Sequence, residues 1–173
     1  AAAVVRAGYK PVIADIDASS WVMTPGIARI AIQQGRIDCV LPVAALGCPL
    51  PVAEWDGFCE QTGIPVLIDA AGAFGNQQSG RHSVLAFSLH ATKAFGVGEG
   101  GLVVARDAEY VGRVRQLCNF GIDTSTGFAP HVGGNAKLSE FHAAVGLAAL
   151  RRWPKRRQRL QALHQRYCTA LLH

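Results

Sequence analysis

Ile64-Pro65-Val66-Leu67-Ile68-Asp69, followed after a gap of small and polar residues by Ser83-Val84-Leu85-Ala86-Phe87-Ser88 and then Leu89-His90-Ala91-Thr92-Lys93, is the stretch that decides the fold. It holds two short apolar runs, each closed by a polar residue. They read as buried strands ending at Asp69 and at Ser88. Neither run alternates apolar with polar residues. That is the pattern of strands covered by helices on both faces.

Working outward, strand and helix patterns alternate. Residues 11–17 and 38–43 read as strands. Between them Thr24 is placed as an N-cap, with Pro25 at the first helical position and Gly35 past the end. Residues 51–61 read as a helix closed by Gly63. Residues 101–105 read as a strand running back against its neighbour. Asp107 opens a helix with an apolar stripe of Val111, Val114, Leu117 and Cys118, and a loop covers 120–134. Leu138, Phe141, Val145 and Ala148 mark a last helix, with a break expected at Pro154. This order predicts an α/β domain with a mostly parallel sheet and helices on both faces. Ligands of such sheets bind outside the carboxyl ends of the strands, where Asp69 and Ser88 fall.

The 173 residues suffice for one domain with a sizeable core, and half of them are hydrophobic. The net charge is +5, and much of it lies in Arg151-Arg152-Trp153-Pro154-Lys155-Arg156-Arg157-Gln158-Arg159. Such a run reads as a solvated helical face or a subunit contact, so the charge gives no reason to expect a nucleic-acid partner. The five cysteines, Cys39, Cys48, Cys59, Cys118 and Cys168, are odd in number and lack Cys-x-x-Cys spacing. No disulfide framework or metal site is expected, and a reducing cytoplasm fits. Prolines or charges interrupt each apolar run before membrane-spanning length. The chain starts with alanine and reads as the middle of a longer protein.

Lys93 stands alone in an apolar, glycine-rich stretch, five residues after Ser88. A desolvated lysine amine is a good nucleophile toward an aldehyde. Asp69 precedes the small residues Ala70-Ala71-Gly72-Ala73, which leave room for a flat ring. An amine for a Schiff base and a carboxylate that keeps a pyridine nitrogen protonated are what pyridoxal phosphate chemistry requires. The bland alternatives are a surface lysine and an aspartate that caps a turn. His90 has two open readings, stacking on the cofactor or filling the pocket wall. Gly96-x-Gly98-x-x-Gly101 matches a dinucleotide fingerprint in letters only, because it runs into a strand instead of opening a helix. Asp15-x-Asp17 reads as a turn rather than a metal pair.

With these residues in view, the sequence resembles the DegT/DnrJ/EryC1/StrS aminotransferases of fold type I. Asp69-Ala70-Ala71, Ser88-x-His90-x-Thr92-Lys93, Gly98-Glu99-Gly100-Gly101, Asn119-Phe120-Gly121 and Gly134-Asn135-Ala136-Lys137-Leu138-Ser139-Glu140 carry the resemblance, together with the opening Ala7 to Asp17. It implies an aspartate-aminotransferase-like large domain in which Lys93 carries pyridoxal 5'-phosphate and moves the substrate proton. Asp69 would pair with the pyridinium, Ser88 would bind the phosphate, and His90 and Ala71 would line the cofactor. Asn135 would reach the phosphate of a neighbouring subunit, in a homodimer. The implied reaction moves an amino group, with glutamate as donor, to the keto group of a nucleotide-linked sugar or another keto substrate. Residues 1–152 would be the central part of the large domain, and 153–173 a helix leading toward a small C-terminal domain.

Two positions depart from the family pattern. Gly72 stands where glutamine or histidine is usual, and Lys137 where arginine is usual. A sugar dehydratase of the same family would have histidine in place of Lys93. A fold kept as a non-catalytic regulatory or scaffold module is the alternative from another functional class.

Overall fold

The computed structural model describes residues 1–171. In chain order the elements are α1 (Ala2–Arg6), α2 (Pro25–Gln34), a 3₁₀ turn (Ala45–Gly47), α3 (Val52–Thr62), β1 (Leu67–Asp69), β2 (Val84–Ser88), β3 (Gly101–Val104), α4 (Ala108–Cys118) and α5 (Glu140–Leu171). The sheet order is β1-β2-β3. β1 and β2 run parallel, pairing Asp69 with Ala86. β3 returns antiparallel and pairs Gly101 with Ser88. On the far side of β1 the chain joins through two parallel bridges, Val40 to Val66 and Val43 to Asp69. The sheet thus has one parallel and one antiparallel strand pair, with β3 as the antiparallel edge and the two bridges extending its parallel side.

Local signals explain the helices. The Thr24 hydroxyl accepts from the N–H of Ile27 at 3.3 Å, and Pro25 sits at the first helical position. α3 ends at Gly63 in the left-handed conformation, φ 68°. The Asp107 carboxylate caps α4 by accepting from the N–H groups of Glu109 and Tyr110.

The core lies between α2, α3 and one face of the sheet. Trp55 and Phe58 of α3 pack with Ala28, Val66, Ile68 and Leu85. Trp55, Phe58 and Ile68 are fully buried. Phe58 and Ile68 each contribute about 1.5–3 kcal/mol by leaving water. A buried amide fixes the chain after β1: Gln77 accepts from the N–H of Leu50 at 2.8 Å and donates to its carbonyl at 3.3 Å.

Three expectations need correction. Residues 11–17 form no strand. A strand needs a ladder partner, none of the described residues pairs with this segment, and Val12 and Ile13 are exposed. Residues 38–43 are held by isolated bridges and not by a continuous ladder. Pro154 does not break the last helix, for α5 runs through it. Proline there forfeits one backbone bond and crowds the carbonyl of Leu150. Leu150 is half exposed, so water can serve that carbonyl, and Trp153 anchors the helix to the body. The basic run lies on this helix, its charged side chains exposed. Asp15-x-Asp17 behaves as a turn: Asp17 Oδ1 accepts from Ser19 and Ser20, and those bonds lower its pKa to about 2.

Candidate active site

Side chains of a strand alternate between faces, and the sheet uses this sharply. Ile68, Ala70, Leu85, Phe87 and Leu89 are buried, whereas Leu67, Asp69, Val84, Ala86 and Ser88 are half-buried. Asp69 pairs with Ala86, and Ser88 follows Ala86 by two, so Asp69 and Ser88 share the less covered face. Strand spacing and rise put their Cα atoms about 8 Å apart. Ala86 between them is small, and the antiparallel partner of Ser88 is Gly101. The two polar groups thus flank a low floor at the carboxyl end of the parallel strands.

Asp69 Oδ1 accepts from the N–H of Ala71 at 3.0 Å. The aspartate therefore does cap its turn, as the bland reading held, but with one oxygen. Oδ2 has no hydrogen-bond partner among the described residues. Ala71 contributes its backbone N–H. Gly72 packs on the turn before α3: a Cβ on Gly72 would lie 3.4 Å from the Gly47 nitrogen, and one on Gly47 would lie 2.8 Å from the Gly72 carbonyl oxygen. A Cβ at 72 thus stays in ordinary contact, and Gly47, at φ +83°, is the position of this pair that needs glycine.

Ser88 accepts from the N–H of His90 at 3.2 Å, which leaves the hydroxyl proton to give. Lys93 lies in the loop that follows and is half-buried. Its N–H donates to the His90 carbonyl at 2.9 Å, and its ammonium has no ion-pair partner among the described residues. Phe95 and Val97, buried with Leu89 against Phe74 and Trp153, hold the far side of this loop. The imidazole of His90 meets Thr92 Oγ1 at 2.8 Å and Glu99 at 3.5 Å.

Asn135 lies on a different segment. It bridges Asn119, and its neighbour Ala136 donates to the Cys118 carbonyl. No hydrogen bond ties Asn135 to Asp69, Ser88 or Lys93 among the described residues. The segment runs beside Glu99-Gly100-Gly101, where Lys137, Leu138, Ser139 and His142 close a cleft of about 200 Å³. The Lys137 ammonium sits 4.5 Å from the centre of the Phe120 ring. Phe74, Phe95 and Trp153, which fix the loops of Asp69 and Lys93, were not picked out as site-building residues from the sequence. Trp153 gave one readable signal, as the one aromatic residue in the basic run.

The donor set fits pyridoxal phosphate: an amine without an ionic partner, a carboxylate with one oxygen to spare, a hydroxyl with a proton to give, and a floor of small residues. The whole chain, residues 1–173, matches the model of the DegT/DnrJ/EryC1/StrS aminotransferase family. The chain belongs to that family. Protein Rv3402c of Mycobacterium tuberculosis H37Rv is 36% identical over 174 residues, covering 93% of this chain and 42% of that protein. The structure of DesI, determined in the presence of its TDP-sugar product, is 34% identical with a TM-score of 0.75, over 89% of this chain and 40% of DesI. A DegT/DnrJ/EryC1/StrS aminotransferase from Brucella abortus is 25% identical with a TM-score of 0.88, over 99% of this chain and 49% of that one. The chain thus spans less than half the length of these family relatives. No helix among the described residues is long and apolar enough to cross a membrane.

Proposed function

We propose that the full-length protein is a pyridoxal-phosphate-dependent aminotransferase that moves an amino group from glutamate to the keto group of a nucleotide-linked sugar. The observation that carries this reading is the shared face of Asp69 and Ser88, with Lys93 on the loop leaving the same strand end. When bound, the cofactor supplies an electron sink for the bonds around the substrate carbon.

The chain's own residues have distinct tasks. Lys93 holds the cofactor through its amine and afterwards moves the proton at the substrate carbon. Asp69 keeps the ring nitrogen protonated through the carboxylate oxygen that its turn does not use. Ser88 donates its hydroxyl to the phosphate. Asn135, on the segment beside Gly100-Gly101, serves the phosphate of the partner subunit's cofactor in a homodimer. Residues 1–152 are then the centre of the large domain, and the rest of α5 leads toward a small domain. The sugar substrate is supported by DesI, whose structure was determined with its TDP-sugar product. Five free cysteines suit a cytoplasmic protein. A non-catalytic module would have no need of a lysine without an ion-pair partner among the described residues on the loop that leaves β2.

The test is amino transfer from glutamate to TDP-linked keto sugars by the full-length protein and its Lys93→Ala variant. Turnover that needs Lys93 is expected. Equal turnover by the variant overturns the reading.

A further inference from the structure

Of the six site residues read from the sequence, His90 is the one whose task stays open, and its surroundings narrow it. The Thr92 N–H points at His90 Nδ1 from 3.3 Å. A backbone N–H can only donate, so Nδ1 is an acceptor and the ring proton of the neutral imidazole is on Nε2. Nε2 is the atom that faces Glu99 Oε1, at 3.5 Å. Nδ1 is therefore hydrogen-bonded within the loop that carries Lys93, whereas the Glu99 contact is longer than a hydrogen bond. The backbone of His90 joins in: its carbonyl accepts from the Lys93 N–H at 2.9 Å, and the next N–H, of Ala91, donates to Gly98 at 2.7 Å.

We infer that His90 is a positioning residue. Its imidazole accepts the Thr92 N–H through Nδ1 and so holds the Ala91–Thr92 peptide, which the backbone ties to Gly98, in the shape that aims the Lys93 amine. It acts through hydrogen bonds and not by laying its ring on the cofactor. The inference rests on the reading above that Lys93 takes up pyridoxal phosphate. Aim matters because a displacement of about 1 Å in a reacting group costs on the order of a hundredfold in rate.

Three substitutions separate a latch from a stacking ring. His90→Asn keeps an acceptor for the N–H two residues on, since asparagine forms that turn by itself. His90→Phe keeps a flat ring without acceptors. His90→Ala keeps neither. Each full-length protein, stripped of cofactor, is mixed with pyridoxal phosphate. The growth of the visible band is timed, and the product is reduced with borohydride and located by peptide mass. Melting temperatures are recorded alongside. The latch predicts His90→Asn within about twofold of the parent rate, and His90→Phe and His90→Ala slower by about tenfold, with little change in melting. If His90→Phe does not fold, the comparison of asparagine with alanine still decides. A phenylalanine variant as fast as the parent overturns the inference, and so do equal rates for asparagine and alanine. A parent protein that is not labelled at Lys93 overturns the proposed function itself, and this inference with it.

Discussion

Phe74 and Phe95 stack with ring centroids 4.3 Å apart and planes 17° from parallel. Phe74 lies five residues after Asp69, and Phe95 two after Lys93. The stack joins the loop that leaves β1 to the loop that leaves β2. Trp153 of α5 meets both rings edge-on, at 5.2 and 5.5 Å. Gly75 has φ +81°, and a Cβ there would lie 2.7 Å from the Trp153 ring, so the helix approaches as closely as a glycine permits. The loops that carry Asp69 and Lys93 are thereby tied by one aromatic contact, which meets Phe87 on the buried face of the sheet, opposite Asp69.

Removing that contact should be costly. Phe95→Ala leaves a cavity beside Phe74 and Trp153 and is expected to destabilise the full-length protein by about 3–5 kcal/mol. Urea denaturation measures the loss, and hydrogen exchange at the Lys93 and Ala91 amides should accelerate with it. An unchanged midpoint would contradict the role given to the stack.

Asp69→Asn separates the two uses of the aspartate. Asparagine still accepts from the Ala71 N–H, so stability should stay within about 0.5 kcal/mol of the parent. The charge is gone, so turnover should fall by at least about a hundredfold. Stability is read by thermal melting and turnover by amino transfer. Normal turnover would show that the carboxylate serves the turn alone.

Asp56 sets part of the acid response. Burial pushes its carboxyl up, but the N–H groups of Arg81, His82 and Ser83 outweigh that, and the net shift is downward. A carboxyl held below its unfolded value, about 3.9, stabilises the fold above that pH and loses its contribution as pH falls through the folded value. The stability difference between the parent and Asp56→Asn should therefore shrink as pH drops below about 4. Urea midpoints at a series of pH values measure it, and a difference that grows toward acid would contradict the assignment.

Pro154→Ala should stabilise the protein, because α5 continues on both sides of residue 154. Restoring the backbone bond to the Leu150 carbonyl and relieving the ring clash is worth about 1–3 kcal/mol. A raised melting temperature is expected, and a lowered one would mean that the proline is needed for the path of the helix.

Elements with local signals were legible in the sequence. Thr24-Pro25, Gly63 and Asp107 fixed helix ends through caps that act within a few residues. The polar ends of two apolar runs located Asp69 and Ser88. Residues 11–17 look like a strand by composition, but strand formation depends on a neighbour that composition does not reveal. Pro154 looks like a stop by propensity, and the anchoring of Trp153 overrides it. The aromatic clamp of Phe74, Phe95 and Trp153 spans nearly eighty residues, and no local pattern announces such a contact.

Borohydride reduction of the full-length protein with pyridoxal phosphate, followed by peptide mapping, decides whether Lys93 takes up the cofactor. A visible band that reduction abolishes is expected, with the cofactor's mass fixed on the peptide containing Lys93. Label on another lysine, or none on the folded protein, would contradict it.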